Sequence, residues 1–282
     1  MYDWFMDTGI RVLAIVAIAV VLYFICKYLI HKIIRRLISR RMEGEEDTEI
    51  KKRTDTLSSS LVSVTGVIIL VIAIITILPE FGVNITSLVA AIGVGGLAIA
   101  FAAQNLVRDF ITGFFILFED QYRVGDVVTI AGISGVVEEI GLRRTILRDL
   151  DAQVHCIPNG KVEISTNQTK KFSRVNLNIS VGYGENLEKV MKTINRVCQE
   201  MAEDKKWKDD FISTPTAIRV DNLGDSGIDI KILGDTKPAR QWDIMGELRL
   251  RLKNAFDSEG IEIPWPHTKI YFGNTPPAPS KN

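Results

Sequence analysis

The sequence predicts a membrane protein: three helical spans followed by a cytoplasmic part that combines a small β-barrel with a ferredoxin-like α/β domain. Three observations carry that reading. Apolar residues concentrate in the first 118 of 282 positions, and that region holds three uncharged runs of bilayer-spanning character. Beyond it, short β-branched runs give way to alternating strand and helix patterns.

The first run, Val12–Cys26, is slightly short by itself. Snorkelling of Arg11 and Lys27, with Tyr28, Leu29 and Ile30, extends it to a full crossing. A signal peptide is the competing reading. Asp3 and Asp7 ahead of the run, and bulky basic residues where a cleavage site would need small ones, speak against it. Leu61–Leu78 is a second span ended by Pro79, and Val83–Val107 is a third.

Basic residues set the expected orientation. Lys27, Lys32, Arg35, Arg36, Arg40, Arg41, Lys51, Lys52 and Arg53 all fall between spans one and two, whereas Pro79–Val83 carries no Lys or Arg. The positive-inside rule then places that first loop, with its acidic cluster Glu43–Asp47, in the cytoplasm and the N-terminus outside. Three crossings put everything after residue 120 in the cytoplasm.

The third span differs in kind. A lipid-facing anchor needs only bulk hydrophobicity, yet residues 90–103 hold nine Ala or Gly. At about 100° per residue these separate into two strips. Ala91, Gly95, Ala98 and Ala102 make one, and Gly93, Gly96, Ala100 and Ala103 make the other. Between them runs a third stripe: Ala90, Val94, Leu97, Phe101, Gln104 and Arg108. Small residues let helix backbones approach closely in a bilayer, where no hydrophobic effect drives association. Two such strips imply a helix neighbour on each side, and cyclic repetition of that contact closes a ring with the third stripe facing its axis. A close-packed dimer or an internal bundle helix would need only one strip. Arg108 reads equally as a pore-lining charge or as an interface-snorkelling residue.

After Gln104 the pattern changes. Leu106, Phe110, Phe114 and Leu117 share one face of an amphipathic helix expected to lie near the interface. Asn105 is a poor helix former, so a break between the two halves is expected at Gln104–Asn105, with Gly113 a second weak point; Asn105 and Gly113 are the hinge candidates. Residues 121–170 show strands at Val127–Ile130, Val136–Ile140, Thr145–Leu147 and Val154–Ile157, with turns at Ala131–Gly135, Asp149–Ala152 and Pro158–Gly160. Residues 174–272 read as strand (Val175–Val181), helix (Asn186–Ala202), strand (Ala217–Leu223), strand (Ile228–Leu233), helix (Gln241–Glu259) and strand (Lys269–Phe272). The expected layout is a transmembrane domain over 1–120, a β-domain over 121–172, an α/β domain over 173–272 and a disordered tail over 273–282. Within the first, spans are expected near 10–30, 57–78 and 83–107, with the amphipathic helix over 105–120.

The sequence argues against several functions. Its 34 basic and 34 acidic residues cancel, and no basic block offers a phosphate-neutralising surface for nucleic acid. Cys26, Cys156 and Cys198 are odd in number and far apart, with no metal or disulfide spacing, and His31, His155 and His267 are equally scattered. Gly182-Tyr183-Gly184 lacks the third glycine and context of a dinucleotide site, and no P-loop, H-E-x-x-H or nucleophile elbow occurs. No catalytic residue, metal or cofactor is therefore expected.

The stretch GGLAIAFAAQNLVRDFITGFFILFEDQYRVGDVV, followed by GISGVVEEIGLRRTILRDLD and IPNGKV, resembles the small-conductance mechanosensitive channel family (MscS) from about residue 57 to 272. The resemblance implies a homoheptamer in the cell membrane, opened by tension to release ions and small osmolytes, with lipids as its surroundings. It further implies that the β-domain is Sm-like and that the soluble part forms a hollow cage with side portals, closed by a strand near Lys269–Phe272. The family's two hydrophobic constrictions fall on Leu97 and Phe101, which the helical wheel independently places on the axial stripe. Well-known members have Gly where this chain has Ala100 and Asn105. Two other readings compete: a non-conducting membrane-anchored sensor or scaffold, and a tethered enzyme. The first does not need an axial stripe between two small strips, and the second lacks a catalytic cluster.

Overall fold

The computed structural model describes residues 2–41, 47–266 and 268. It divides into two compact units, residues 1–103 and 104–282. Three helices are long and apolar enough to cross a membrane: α1 (Tyr2–Arg41), α2 (Asp47–Ile77) and α3 (Thr86–Phe118). Both α1 and α2 outrun the apolar stretches that mark them. Hydropathy reports only the part suited to lipid, whereas the charged segments beside it keep good helix propensity, with Glu49 and Arg53 paired at 2.9 Å one turn apart.

Within the first unit, α1 and α2 pack as a hairpin. Gly66 of α2 sits where a Cβ would come 3.2 Å from the Tyr23 ring of α1. Thr54 and Ser58 are buried on this contact face and satisfy their hydroxyls on the Ile50 and Asp55 carbonyls. Pro79 stands in a 3₁₀ turn, Leu78–Phe81, that ends at left-handed Gly82. Asn84 then accepts from the Thr86 amide at 2.9 Å, which helps α3 to start there.

Helix α3 runs unbroken through Asn105 and Gly113, so the expected break at Gln104–Asn105 is not present in this conformation. Intrinsic propensity at one Asn costs well under about 1 kcal/mol, which the flanking Ala, Leu and Val turns outweigh. The two compact units nevertheless part between Ala103 and Gln104, one residue before that Asn.

The second unit holds two sheets. Strands β1 (Val127–Ile130), β2 (Ile133–Ile140), β3 (Arg144–Arg148), β4 (Val154–Pro158) and β5 (Ser165–Asn167) form an antiparallel sheet in the order β4-β3-β2-β1-β5. Their inward residues Val128, Ile130, Val137, Leu147 and Ile157 close around one core with Tyr122. The first turn is shorter than expected. Ile130 pairs with Ile133, leaving only Ala131 and Gly132, both at positive φ, as a two-residue hairpin loop, so Ser134 and Gly135 belong to β2.

Strand β6 (Ser173–Val181), helix α4 (Leu187–Glu203), strands β7 (Thr216–Leu223) and β8 (Ile228–Thr236), and helix α5 (Gln241–Glu259) make the second sheet and its two helices, with strand order β6-β8-β7. The β-α-β-β-α part of the expected order is thus present. The fourth strand, Lys269–Phe272, the tail over 273–282 and the acidic loop around Glu43 lie outside the described residues. Strand β8 extends three residues past its apolar run because Thr236 is buried and donates to the Ser173 carbonyl at 3.3 Å.

The α/β core includes Val190, Ile194, Ile230, Ile232, Leu248 and Phe256. Cys198 is part of it, and burial pushes its thiol up to about 12. At pH 8 only about 1 in 10,000 of such thiols is ionised, and the thiolate is the reactive form. In a Cys26→Ser, Cys156→Ser background, labelling by a disulfide reagent at pH 8 is expected to be negligible over an hour. It should become complete on unfolding in guanidinium. Rapid native labelling would mean that α4 does not hold Cys198 in the core.

Candidate functional site: the third apolar helix

The axial stripe and both small strips lie on the first two-thirds of α3. Ala90, Val94, Leu97, Phe101, Gln104 and Arg108 are all exposed in the single chain, Leu97 by 60% and Phe101 by 73%. Ala91, Gly95, Ala98 and Ala102 on one flank are equally uncovered, as are Gly93, Gly96 and Ala100 on the other; Ala103 is half-buried. A Cβ built on Gly93, Gly95 or Gly96 would meet nothing within 4 Å. The three glycines of these strips therefore have no packing partner within one copy of the chain.

The last four turns of α3 are different, because they dock on the β-domain of the same compact unit. The docking face is Asp109, Gly113 and Ile116, spaced four and three residues apart, and all three are buried. Ile116 enters the β-domain core. Gly113 crosses the β2–β3 connection so closely that a Cβ would lie 1.9 Å from the Leu142 carbonyl oxygen and 2.3 Å from Asn159 Nδ2. Asp109 Oδ1 accepts from the Gly160 amide at 2.9 Å, with Arg143 Nε at 3.8 Å from its other oxygen. The expected amphipathic face, Leu106, Phe110, Phe114 and Leu117, lies outside this docking contact and is exposed in the single chain. Gly113 is thus a close-approach glycine within a continuous helix.

The Ile157-Pro158-Asn159-Gly160 turn receives that helix. Asn159 is fully buried and its amide donates to the Gly141 and Leu142 carbonyls at 2.8 and 2.9 Å. Its Oδ1 accepts from Thr145 Oγ1 at 2.9 Å, and the Tyr122 hydroxyl lies 3.1 Å from the same Thr145 oxygen. Burial raises the Tyr122 pKa, partly offset by its bond to Thr145, so the phenol stays neutral. Arg108 sets its aliphatic stem against Gly160.

The Tyr122–Asp126 turn fastens the end of the helix. Arg123 forms a forked pair with Asp120 at 2.7 and 2.9 Å, while Asp126 accepts from the Arg123 amide and from Asn167. The hydrogen bond and charge of Arg123 hold the Asp120 carboxyl below its ordinary value. Gly125 takes φ +94°, a conformation that favours glycine. The sequence marks Asn159 only as part of a turn and of the IPNG motif, and it gives no role to Asp109 or Thr145. A lone acidic residue four positions before a glycine, within an apolar helix, was the available signal.

Among the described residues, no group of three or more His, Cys, Asp or Glu is placed to hold a metal ion.

Comparison with known proteins bears on this geometry. Family models for the mechanosensitive ion channel transmembrane helices 2/3, β-domain and MscS C-terminal region match residues 63–104, 105–170 and 175–263. A small-conductance mechanosensitive channel of Caldanaerobacter subterraneus is 41% identical over 220 residues, 78% of this chain and 77% of that protein. A large-conductance mechanosensitive channel of Methanocaldococcus jannaschii is 30% identical over 252 residues, 86% of this chain and 67% of the relative. The closed-state crystal structure of Helicobacter pylori MscS superposes with a TM-score of 0.65 at 26% identity, covering 93% of this chain and 99% of that one. Matches that run from the second apolar helix through the docked end of α3 to the α/β domain leave one assignment: this chain belongs to the MscS family of mechanosensitive ion channels.

Proposed function

We propose that the chain is one subunit of a homoheptameric, tension-gated and weakly selective channel that releases ions and small osmolytes on hypoosmotic shock. One observation carries the reading: two strips of Ala and Gly on α3 flank an apolar stripe, and within one copy neither strip has a packing partner near its glycines. Neighbouring copies of α3 would supply those partners, and the stripe from Ala90 to Arg108 would then face the axis. Leu97 and Phe101 form the hydrophobic gate, and Gln104 and Arg108 line its polar side. Asn105, beside the boundary between the compact units, acts as the hinge. The basic loop between α1 and α2 supports an external N-terminus and a cytoplasmic α/β domain.

The test is purified protein in liposomes, patched under graded suction. Tension-activated, non-saturating currents are expected, carried by both ion signs. Ala98→Leu should shift the activation pressure, since overpacking costs about 1–3 kcal/mol per site and repeats in every subunit. Absence of stretch-activated current would refute the channel. Wild-type gating in Ala98→Leu would mean that this strip faces lipid.

A further inference from the structure

A short connection, gripped from both sides, joins the β-domain to the α/β domain within the second unit. On the β-domain side Thr169 is buried. Its hydroxyl accepts from the Val127 amide at 3.0 Å, and its own amide donates to Asn167 Oδ1 at 2.9 Å. On the α/β side Ser173 is buried at the start of β6, and its hydroxyl donates to the Gln168 carbonyl at 3.0 Å. Arg174 lies 5.7 Å over the Phe172 ring while pairing with Asp235 at 2.7 Å, so Phe172 belongs to the α/β side as well. Between the two grips stand Lys170 and Lys171.

Lys171 takes φ +68°, a left-handed conformation that opposes any side chain with a Cβ. The Phe172 amide donates to the Lys170 carbonyl at 2.9 Å, closing a three-residue turn around Lys171 of the rare and strained kind. Strain of this sort persists only where surrounding contacts impose it. Lys170 supplies such a contact: its ammonium donates to the carbonyl of Asp120, 50 positions earlier in the chain, and lies 3.8 Å from the carboxylate of the same residue. Asp120 is itself left-handed, at φ +52°, and it follows the last turn of α3, where the Asp120 and Gln121 amides close back on the Leu117 and Ile116 carbonyls. The carbonyls there form the negative end of a 33-residue helix, which a lysine ammonium complements. One lysine thus ties the left-handed end of α3 to the left-handed joint between the domains.

We propose that Lys170 is a latch, holding the interdomain joint in its strained form by anchoring it to the end of α3. With the latch open, Lys171 leaves the left-handed region and the α/β domain changes its angle to the β-domain. The two settings of one turn then couple the end of the third apolar helix to the orientation of the α/β domain. The inference rests on the fold of residues 104–282 and not on conduction, so it can fail or hold independently of the channel reading.

Hydrogen exchange of the full-length oligomer, read by mass spectrometry, and pulsed electron paramagnetic resonance test it. Lys170→Gln is expected to speed exchange at the Phe172 amide about tenfold, the factor that one left-handed non-glycine residue is worth, while β1 and β6 keep their wild-type rates. Lys170→Arg keeps a cationic donor and should stay within about twofold of the wild type. Adding Lys171→Asn to Lys170→Gln should restore most of the protection, because Asn tolerates the left-handed region, and misfolding does not mimic such a gain. For the domain angle, spin labels go on Val154→Cys in β4 and Lys192→Cys in α4, in a Cys26→Ser, Cys156→Ser background with Cys198 left buried. Labelled subunits are diluted among unlabelled copies so that distances within one chain dominate. A single narrow distance is expected with Lys170 in place, and a broadened or second one with Lys170→Gln. Unchanged exchange in Lys170→Gln, or no recovery on adding Lys171→Asn, would overturn the latch. Faster exchange with an unchanged distance would overturn the change of domain angle.

Discussion

Gly113→Leu is expected to abolish the assembled, stretch-activated channel, and Gly113→Ala to lower its thermal midpoint markedly. A Cβ at this position would meet the Leu142 carbonyl oxygen at 1.9 Å and the amide of Asn159 at 2.3 Å. Neither neighbour can yield freely. Leu142 presents backbone, and Asn159 is fully buried and hydrogen-bonded to Gly141, Leu142 and Thr145. Core overpacking costs about 1–3 kcal/mol where side chains can shift, so a clash against backbone is expected to cost about 3 kcal/mol or more per subunit. The helix would lift from the β-domain, withdrawing Ile116 from its core and Asp109 from the Gly160 amide. Size-exclusion profiles and thermal denaturation of the detergent-solubilised oligomer measure this. Gly95→Ala gives the reference, because a Cβ there meets nothing inside the chain. If Gly113→Leu assembles with an unchanged midpoint, α3 does not dock in this way.

That prediction depends on contacts that pattern reading did not reach. The three spans were legible because lipid imposes a long uncharged run, and the period of the Ala and Gly strips was legible because a helix repeats every 3.6 residues. Helix α5 and strand β1 were recovered to the residue, since both have strong periodic burial and clear terminators. The docking face was hidden for a physical reason. Only three residues of α3 are buried there, one of them an acid and one a glycine, so the buried face carries less hydrophobicity than the exposed one. Hydrophobic period therefore selected Leu106, Phe110, Phe114 and Leu117. The same holds for Asn159, whose buried amide closes an intrinsically polar turn and is indistinguishable in sequence from a solvated one. At Asn105 local propensity marks a weak point, and the neighbouring turns keep the helix continuous there in this conformation.

Leu97→Ser and Phe101→Ser are expected to open at much lower suction than the wild type, or to leak at rest and slow growth of the host cell. The two residues lie four apart on α3, about one helical turn, and both are exposed in the single chain. In the proposed ring each forms a collar of apolar side chains with no polar group to hold water. A narrow collar of that kind empties of water, and an ion cannot cross without losing its hydration. Excluding one Leu or Phe side chain from water is worth about 1.5–3 kcal/mol, and every copy contributes one. Even a fraction of that sum, removed by serine, shifts the closed-to-open equilibrium by more than about tenfold, since each 1.4 kcal/mol is a factor of ten. Serine leaves the Ala and Gly strips intact, so the ring should still assemble, which separates this effect from that of Gly113→Leu. Polar substitution on a flank, as in Ala98→Ser, should move the threshold less, because that side chain touches a neighbouring helix and not the water column. The ratio of half-activation pressures, measured in the same patches against a reference channel, reads the difference. Should both serine variants keep the wild-type threshold and a tight closed state, the barrier lies lower on the stripe, at Gln104 to Arg108, where α3 first meets the β-domain through Arg108 and Gly160.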